Sequence, residues 1–186
     1  TSVRGGTVQT RAGGRGDAGS IVIGSADAPF SIVSLGGPGG LFSDSTNTSV
    51  MAGDAGSISV YAGEFEMLEG AQVSVSTFNG AGGELFFDVD SMFMSDISRI
   101  DANTAGFGDA GNVTLNASTS LVMTTDAEIV ASSTAIDSDT GTPAGAAGSV
   151  TIESPEISVE SGAEIQVRTA DGAGGAIELF TRSLTM

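Results

Sequence analysis

The sequence predicts an all-β fold, a parallel β-helix (β-solenoid) of about six coils, each made of three short strands. Three observations carry that expectation. The phrase Gly-Asp-Ala-Gly, followed by Ser or Asn and an apolar-polar-apolar triplet, opens at Gly16, Gly53 and Gly108, with looser copies at Gly80, Gly145 and Gly172. Two further apolar-polar-apolar triplets follow each full phrase. The phrases stand 37, 27, 28, 37 and 27 residues apart, within the range of solenoid repeats. Sandwiches and meanders also use short strands with frequent turns. They give no reason for one phrase to recur, whereas stacked coils place like residues over like.

Taken in order, each phrase begins a coil. Alternation with period two turns the apolar members of a triplet to one face and the polar member to the other. The first triplets therefore stack an inward ladder of Ile21, Ile58, Leu85, Val113, Val150 and Ile177. The second triplets include Phe65-Glu66-Met67 and Ile157-Ser158-Val159, with Met92, Met94, Met123 and Met186 as apolar filler in the same ladder. The third ladder reads Leu41, Val73, Ile100, Ile129 and Ile165. The corners fall at Gly16, Asp17 and Gly19, at Gly53, Asp54 and Gly56, and at Gly108, Asp109 and Gly111. There glycine permits positive φ, and the aspartates cap turn amides.

The two 37-residue coils carry extra length, expected as loops at 34–40 with polar excess at 46–49, and at 135–144 with Asp137, Asp139 and Pro143. One domain, 1–186, then divides into the end of a coil (1–15), full coils 16–52, 53–79, 80–107, 108–144 and 145–171, and the start of a coil (172–186). The long-short-short rhythm makes two three-coil super-repeats, beginning at Gly16 and Gly108. Residues 7–14 match the close of a coil and 183–186 the middle of one, so end and beginning together complete one more coil of 30 residues. Open coil edges invite another copy. Head-to-tail stacking, or a tile of a longer array, is the expected partnership.

Composition removes many functions. Twenty-three acids against six arginines give a net charge of −17, which repels nucleic acid and anionic membranes. Forty per cent of the residues are hydrophobic, and their alternation argues against disorder. With no cysteine and no histidine, disulfides, thiolate metal sites, the usual zinc sites and histidine-activated nucleophiles are excluded. No apolar run approaches the ~20 residues of a membrane-spanning helix, and residues 1–6 show no basic-then-apolar export signal.

Few side chains invite chemistry. Asp88 and Asp90 share the outward side of one strand, roughly 7 Å apart. Such a pair suits a calcium ion or an acid/base role in glycan cleavage. As no further cluster is brought beside them, a solvated face is the plainer reading. Calcium is the one ligand that the acidic corners admit, and no other cofactor is expected. Arg15-Gly16-Asp17 spells an integrin-recognition tripeptide, but its last two residues already belong to the repeated corner. The outward column of the first strand, Val22, Ser59, Phe86, Thr114, Thr151 and Glu178, is too mixed for an ice-binding plane. Outward Phe86 and Tyr61 suggest lateral contacts between fibres. Asn47, Asn112 and Asn116 fit the glycan-acceptor pattern by accident.

Nearly the whole chain resembles the filamentous-haemagglutinin type of secreted bacterial exoprotein, particularly the Gly-rich versions of cyanobacteria. The matching text is Gly108-Asp109-Ala110-Gly111-Asn112-Val113-Thr114-Leu115, Ser120-Leu121-Val122-Met123 and Ala127-Glu128-Ile129-Val130-Ala131-Ser132-Ser133, and again Ser161-Gly162-Ala163-Glu164-Ile165-Gln166-Val167. The resemblance implies a right-handed helix, export by a partner transporter, and display as adhesive fibres on the cell surface. The expected function is a structural, adhesive, extracellular fibre protein without enzymatic turnover, contacting itself and surface glycans or proteins. The alternatives are a β-helix carbohydrate-active enzyme and a calcium-responsive module.

Overall fold

A computed structural model describes residues 2–48, 52–134 and 145–186. The loop expected at 135–144, with Asp137, Asp139 and Pro143, lies outside these residues, as does Ser49. The described residues form strands and turns without a helix. The strands are β1 Ser2–Arg4, β2 Thr7–Ala12, β3 Ser20–Ile23, β4 Phe30–Gly36, β5 Gly40–Ser45, β6 Ser57–Leu68, β7 Gln72–Ser74 and β8 Glu84–Met94. They continue as β9 Arg99–Asp101, β10 Asn112–Met123, β11 Glu128–Ser133, β12 Val150–Glu153, β13 Glu156–Val159, β14 Glu164–Thr169, β15 Ile177–Phe180 and β16 Ser183–Thr185. Their pairings are parallel throughout, each strand lying against its counterpart one coil away. The chain is a parallel β-solenoid of about five turns. The expected sixth coil exists only as its two halves, at opposite ends.

Two sheets wind along the coil rather than three. In the middle coils the first and second triplets run through in one strand (β6, β8, β10), so three separate short strands per coil hold only in the outer coils. At the bend between the two triplets the ladder of β6 and β8 steps from Ala62 opposite Val89 to Glu64 opposite Ser91. The inward residues run Ile58, Val60, Ala62 and then Phe65, Met67, so the parity shifts by one at Gly63 and Glu64. The same shift falls between Val89 and Met92, and a bulge widens it between Ala117 and Ser120.

The ladders stand as the period-two pattern requires. Ile21 pairs with Ile58, Ile58 with Leu85, Leu85 with Val113, Val113 with Val150 and Val150 with Ile177. Val8, Leu41, Val73, Ile100, Ile129 and Ile165 make the second sheet's column. A third column stacks Leu35, Met67, Met94, Met123 and Val159. Its four leading members are fully buried, whereas Met186 is 89% exposed and fills nothing. Burial of each such side chain is worth about 1.5–3 kcal/mol, and no single coil has a second layer to provide it.

Register also relocates half of the first insertion. Leu35 to Gly40 stand opposite Met67 to Gln72 without a gap, so 34–40 holds no insertion, only the short turn at 37–39 between β4 and β5. Five of the ten extra residues lie instead at 24–29; the other five fall between Ser45 and Gly53, at the expected polar excess. Ser45 stands opposite Thr77 and Gly53 lies against Gly80, eight steps of chain against three. Ile23 and Phe30 stand opposite Val60 and Ala62, so seven steps of chain cover what two cover in the next coil. Gly24, at φ +74°, starts that loop.

The corner glycines serve close approach, not positive φ. None of Gly16, Gly53, Gly56, Gly108 or Gly111 has positive φ. A Cβ on Gly53 would lie 2.1 Å from the Gly16 carbonyl oxygen, and one on Gly56 would lie 1.8 Å from that of Gly19. Any side chain there would push the coils apart. Left-handed backbone sits at another corner, in the pairs Glu69-Gly70, Asp96-Ile97, Thr125-Asp126 and Ser161-Gly162. Each pair is closed by a turn hydrogen bond, such as Ser98 N to Ser95 O at 3.2 Å, and positive φ at both central residues is the type I′ signature.

The corner aspartates cap amides, but those of the next coil. Asp17 Oδ1 accepts from Asp54 N at 2.9 Å, Asp54 Oδ1 from Ala81 N at 2.7 Å, and Asp109 Oδ1 from Ala146 N at 2.8 Å. Asp44 does the same for Ser76, Asn103 for Ser132 and Asn112 for Ser149. Short acceptor side chains thus tie each coil to the one after it, where a backbone amide would otherwise lack a partner.

Candidate functional site

The bend in the first sheet gathers the most varied outward side chains. Tyr61 stands opposite Asp88, Asp88 opposite Asn116, Asn116 opposite Glu153, and Glu153 opposite Phe180. An aromatic ring therefore closes each end of a polar column that rises one side chain per coil. Three hollows follow this line. The first, about 210 Å³, lies between the 24–29 loop and Tyr61, Asp88 and Asp90. The second, about 370 Å³, shares Asp88 and Ser118 with the first and reaches Glu153 and Pro155. The third, about 530 Å³, begins at those two residues and ends at Phe180 and Arg182. Shared walls make them one shallow groove parallel to the solenoid axis.

Asp88 and Asp90 are both exposed, as expected from the outward side of β8. Asp90 Oδ1 accepts from Ser118 Oγ at 2.8 Å, and its carboxylate lies over Gly63, whose hypothetical Cβ would be 3.6 Å from Oδ2. Among the described residues no three acids converge in a way that would hold a metal ion, so the calcium reading gains no ligand set at this pair. The neighbouring Tyr61 and Phe86 rings pack at 5.8 Å, tilted by 53°. They cover one another, which leaves less aromatic surface for lateral contacts than two isolated rings would.

A second polar cluster, on the outer side of the second sheet, was not evident from spacing. Arg99 Nε meets Asp101 Oδ1 at 2.5 Å, and its Nη1 meets Glu128 Oε2 at 2.7 Å. Glu128 is its in-register neighbour one coil on. Asp101 is 9% exposed. Burial raises its pKa, against the lowering hydrogen bonds and charge from Arg99 and the Asn103 amide. Burial works against the Arg99 charge too, but Asp101 and Glu128 hold its pKa above the ordinary value. Burial likewise lifts Asp44, with the Ser76 amide, Ser74 hydroxyl and Arg11 charge pulling the other way. The sequence held one clue to the pairing: Arg99 is the sole basic residue between Arg15 and Arg168.

The ends are chemically unlike the middle. Val8, Ile177 and Leu184 are 44–45% exposed, while their counterparts in the inner coils are sealed. Phe30 and Ile32 at one end and Phe180 and Met186 at the other are also open. Beneath Ile165, Ile177 and Leu184 lies an apolar hollow of about 410 Å³. Arg15, Gly16 and Asp17 are exposed, but one Asp17 oxygen is engaged by the Asp54 amide. Of the glycan-acceptor asparagines, Asn112 has its side-chain oxygen committed to Ser149, and Asn116 lies in the groove column.

Compared with family models, curated proteins and solved structures, the chain matches none.

Proposed function

We propose that the chain is a rigid, adhesive segment of an extracellular bacterial fibre, in the style of the filamentous haemagglutinins it resembles, and that it acts by stacking and display without turnover. The open end columns support this most. Ladder positions that are fully buried inside the solenoid stand about 45% exposed at its ends (Val8, Ile177, Leu184). Exposed core columns are templates for a further coil, supplied by more chain or by a second copy. The acids whose pKa values burial raises, Asp44 and Asp101, lie on the second sheet, away from the groove on the first.

Corner geometry supplies the test. A Cβ on Gly16 meets nothing within 4 Å in the isolated chain, although Gly53, one coil on, would strike Gly16 itself. In an end-to-end stack, Gly16 would face the corner carbonyl of the preceding copy. The chain should therefore form rods of uniform width that lengthen with concentration in negative-stain microscopy and sedimentation. Gly16→Ala should melt at the unaltered temperature and remain in short particles. Monodisperse single particles of the unaltered chain at high concentration would refute stacking between copies.

A further inference from the structure

We infer that the column Tyr61–Asp88–Asn116–Glu153–Phe180 is a binding track for a linear, non-acidic glycan chain lying along the solenoid axis. Adhesion is part of the function proposed above. The inference rests on that part and names the ligand class.

The argument begins with spacing. Neighbouring strands of a sheet lie about 4.8 Å apart, so Tyr61 and Phe180, four pairings apart, span roughly 19 Å. A chain laid along this line meets a hydrogen-bonding side chain in four successive coils, Tyr61 to Glu153, and an aromatic ring in the next. An extended pyranose polymer advances per sugar by close to one coil spacing, and each sugar offers hydroxyl donors. An extended peptide advances about 3.3 Å per residue and alternates its sides, so it falls out of step with the column after two residues.

Chemistry agrees with spacing. Carboxylates accept from two hydroxyls at once, and an amide both donates and accepts. Asp88, Asn116 and Glu153 thus present that set in consecutive coils. Asp88 and Glu153 are exposed, and neither forms an ion pair among the described residues. Their acceptors are open to a ligand. Tyr61 is half-buried and packs against Phe86 on one side, and it lines the first hollow. Phe180 stands at the other end, and both rings suit the C–H face of a sugar. Phe180 is 57% exposed, and the 24–29 loop walls the Tyr61 end. Charge decides which glycans enter. Two acids in the column and Asp90 beside it repel uronate or sulfate groups and favour neutral or amine-bearing sugars. Among the described residues, Arg182, at the Phe180 end, is the only cation lining the three hollows.

Titration calorimetry on the Gly16→Ala chain, which is expected to stay in short particles, tests this with a β-1,4-glucose oligomer series, the matching glucosamine oligomers and oligogalacturonate. Affinity should rise with length and level off at four to five sugars. Glucosamine oligomers should bind at least tenfold tighter than glucose oligomers, and oligogalacturonate should not bind. Tyr61→Ala and Phe180→Ala should each weaken binding about tenfold while Tyr61→Phe retains it, with circular dichroism confirming the fold of each variant. Asp88→Asn with Glu153→Gln should remove the preference for glucosamine. No binding by any oligomer, tighter binding of oligogalacturonate, affinity independent of length, or indifference to both aromatic substitutions would overturn the inference. Cleavage of the bound oligomers would replace the adhesive reading with the enzymatic one. Because binding is measured on the variant that does not lengthen into rods, failure to bind leaves coil stacking untouched, and failure of the unaltered chain to stack leaves binding untouched.

Discussion

A single methyl group should have opposite fates at two glycines of the same phrase. In Gly53→Ala the new Cβ would sit 2.1 Å from the Gly16 oxygen, 2.3 Å from the Gly16 carbonyl carbon and 2.8 Å from Asp17 N. Ordinary carbon contacts need about 3.5 Å, so the two coils must part by more than an ångström at that corner. Two inter-coil bonds cross it, Asp54 N to Asp17 Oδ1 and Ala18 N to Asp54 O, each 2.9 Å. Each is worth about 0.5–1.5 kcal/mol. Ile21 over Ile58 loosens with them, so the expected loss is about 2–4 kcal/mol. For a chain of this size that lowers Tm by roughly 5–15 °C. Gly16→Ala has open space and no positive φ. It should change stability by less than about 0.5 kcal/mol, or raise it slightly by restricting the unfolded chain. Thermal and urea melts of the two variants, followed by circular dichroism, make the comparison. Equal effects would refute the claim that stacked carbonyls, rather than turn conformation, select these glycines.

Other outcomes follow from the same geometry. Ile97 holds φ +57° with 68% of its surface exposed. Left-handed backbone costs a β-branched residue about 1–2 kcal/mol. Ile97→Asn should therefore stabilise the chain by about 1 kcal/mol, seen as a higher urea midpoint, and an unchanged or lower midpoint would contradict it. Asp44 and Asp101 hold protons more tightly folded than unfolded. Their protonated forms thus favour the fold, and that stability is lost as pH rises through their folded values. Tm should climb as pH falls from 7 and level off near the ordinary aspartate value of about 3.9. Asp44→Asn should flatten part of that slope while keeping an acceptor for the Ser76 amide, as Asn103 does for Ser132. A steeper slope in Asp44→Asn would reverse the sign of the argument.

The sequence by itself determined the ladders. Ile21 to Ile177 and Leu41 to Ile165 stack as spaced, because a period of two fixes the face and a recurring phrase fixes the neighbour. It also marked the corners, though not their cause. Glycine reads alike whether it supplies positive φ or yields room to a carbonyl, and only the neighbouring coil distinguishes Gly53 from Gly70. For the same reason the glycines of 36–40 read as a loop. In fact Gly39 and Gly40 lie against the backbone at Gly6 and Gln72, while the insertion the sequence did not mark, at 24–29, contains a single glycine. Asp88 and Asp90 were placed outward correctly from alternation alone. The column from Tyr61 to Phe180 was not legible, since its members lie 27 to 37 residues apart and insertions of unknown position intervene. Arg99 and Glu128 met for the same hidden reason. Alternation is a local property and survives in one dimension. Which residues become neighbours across coils depends on register, and register is decided only when one coil packs upon the next.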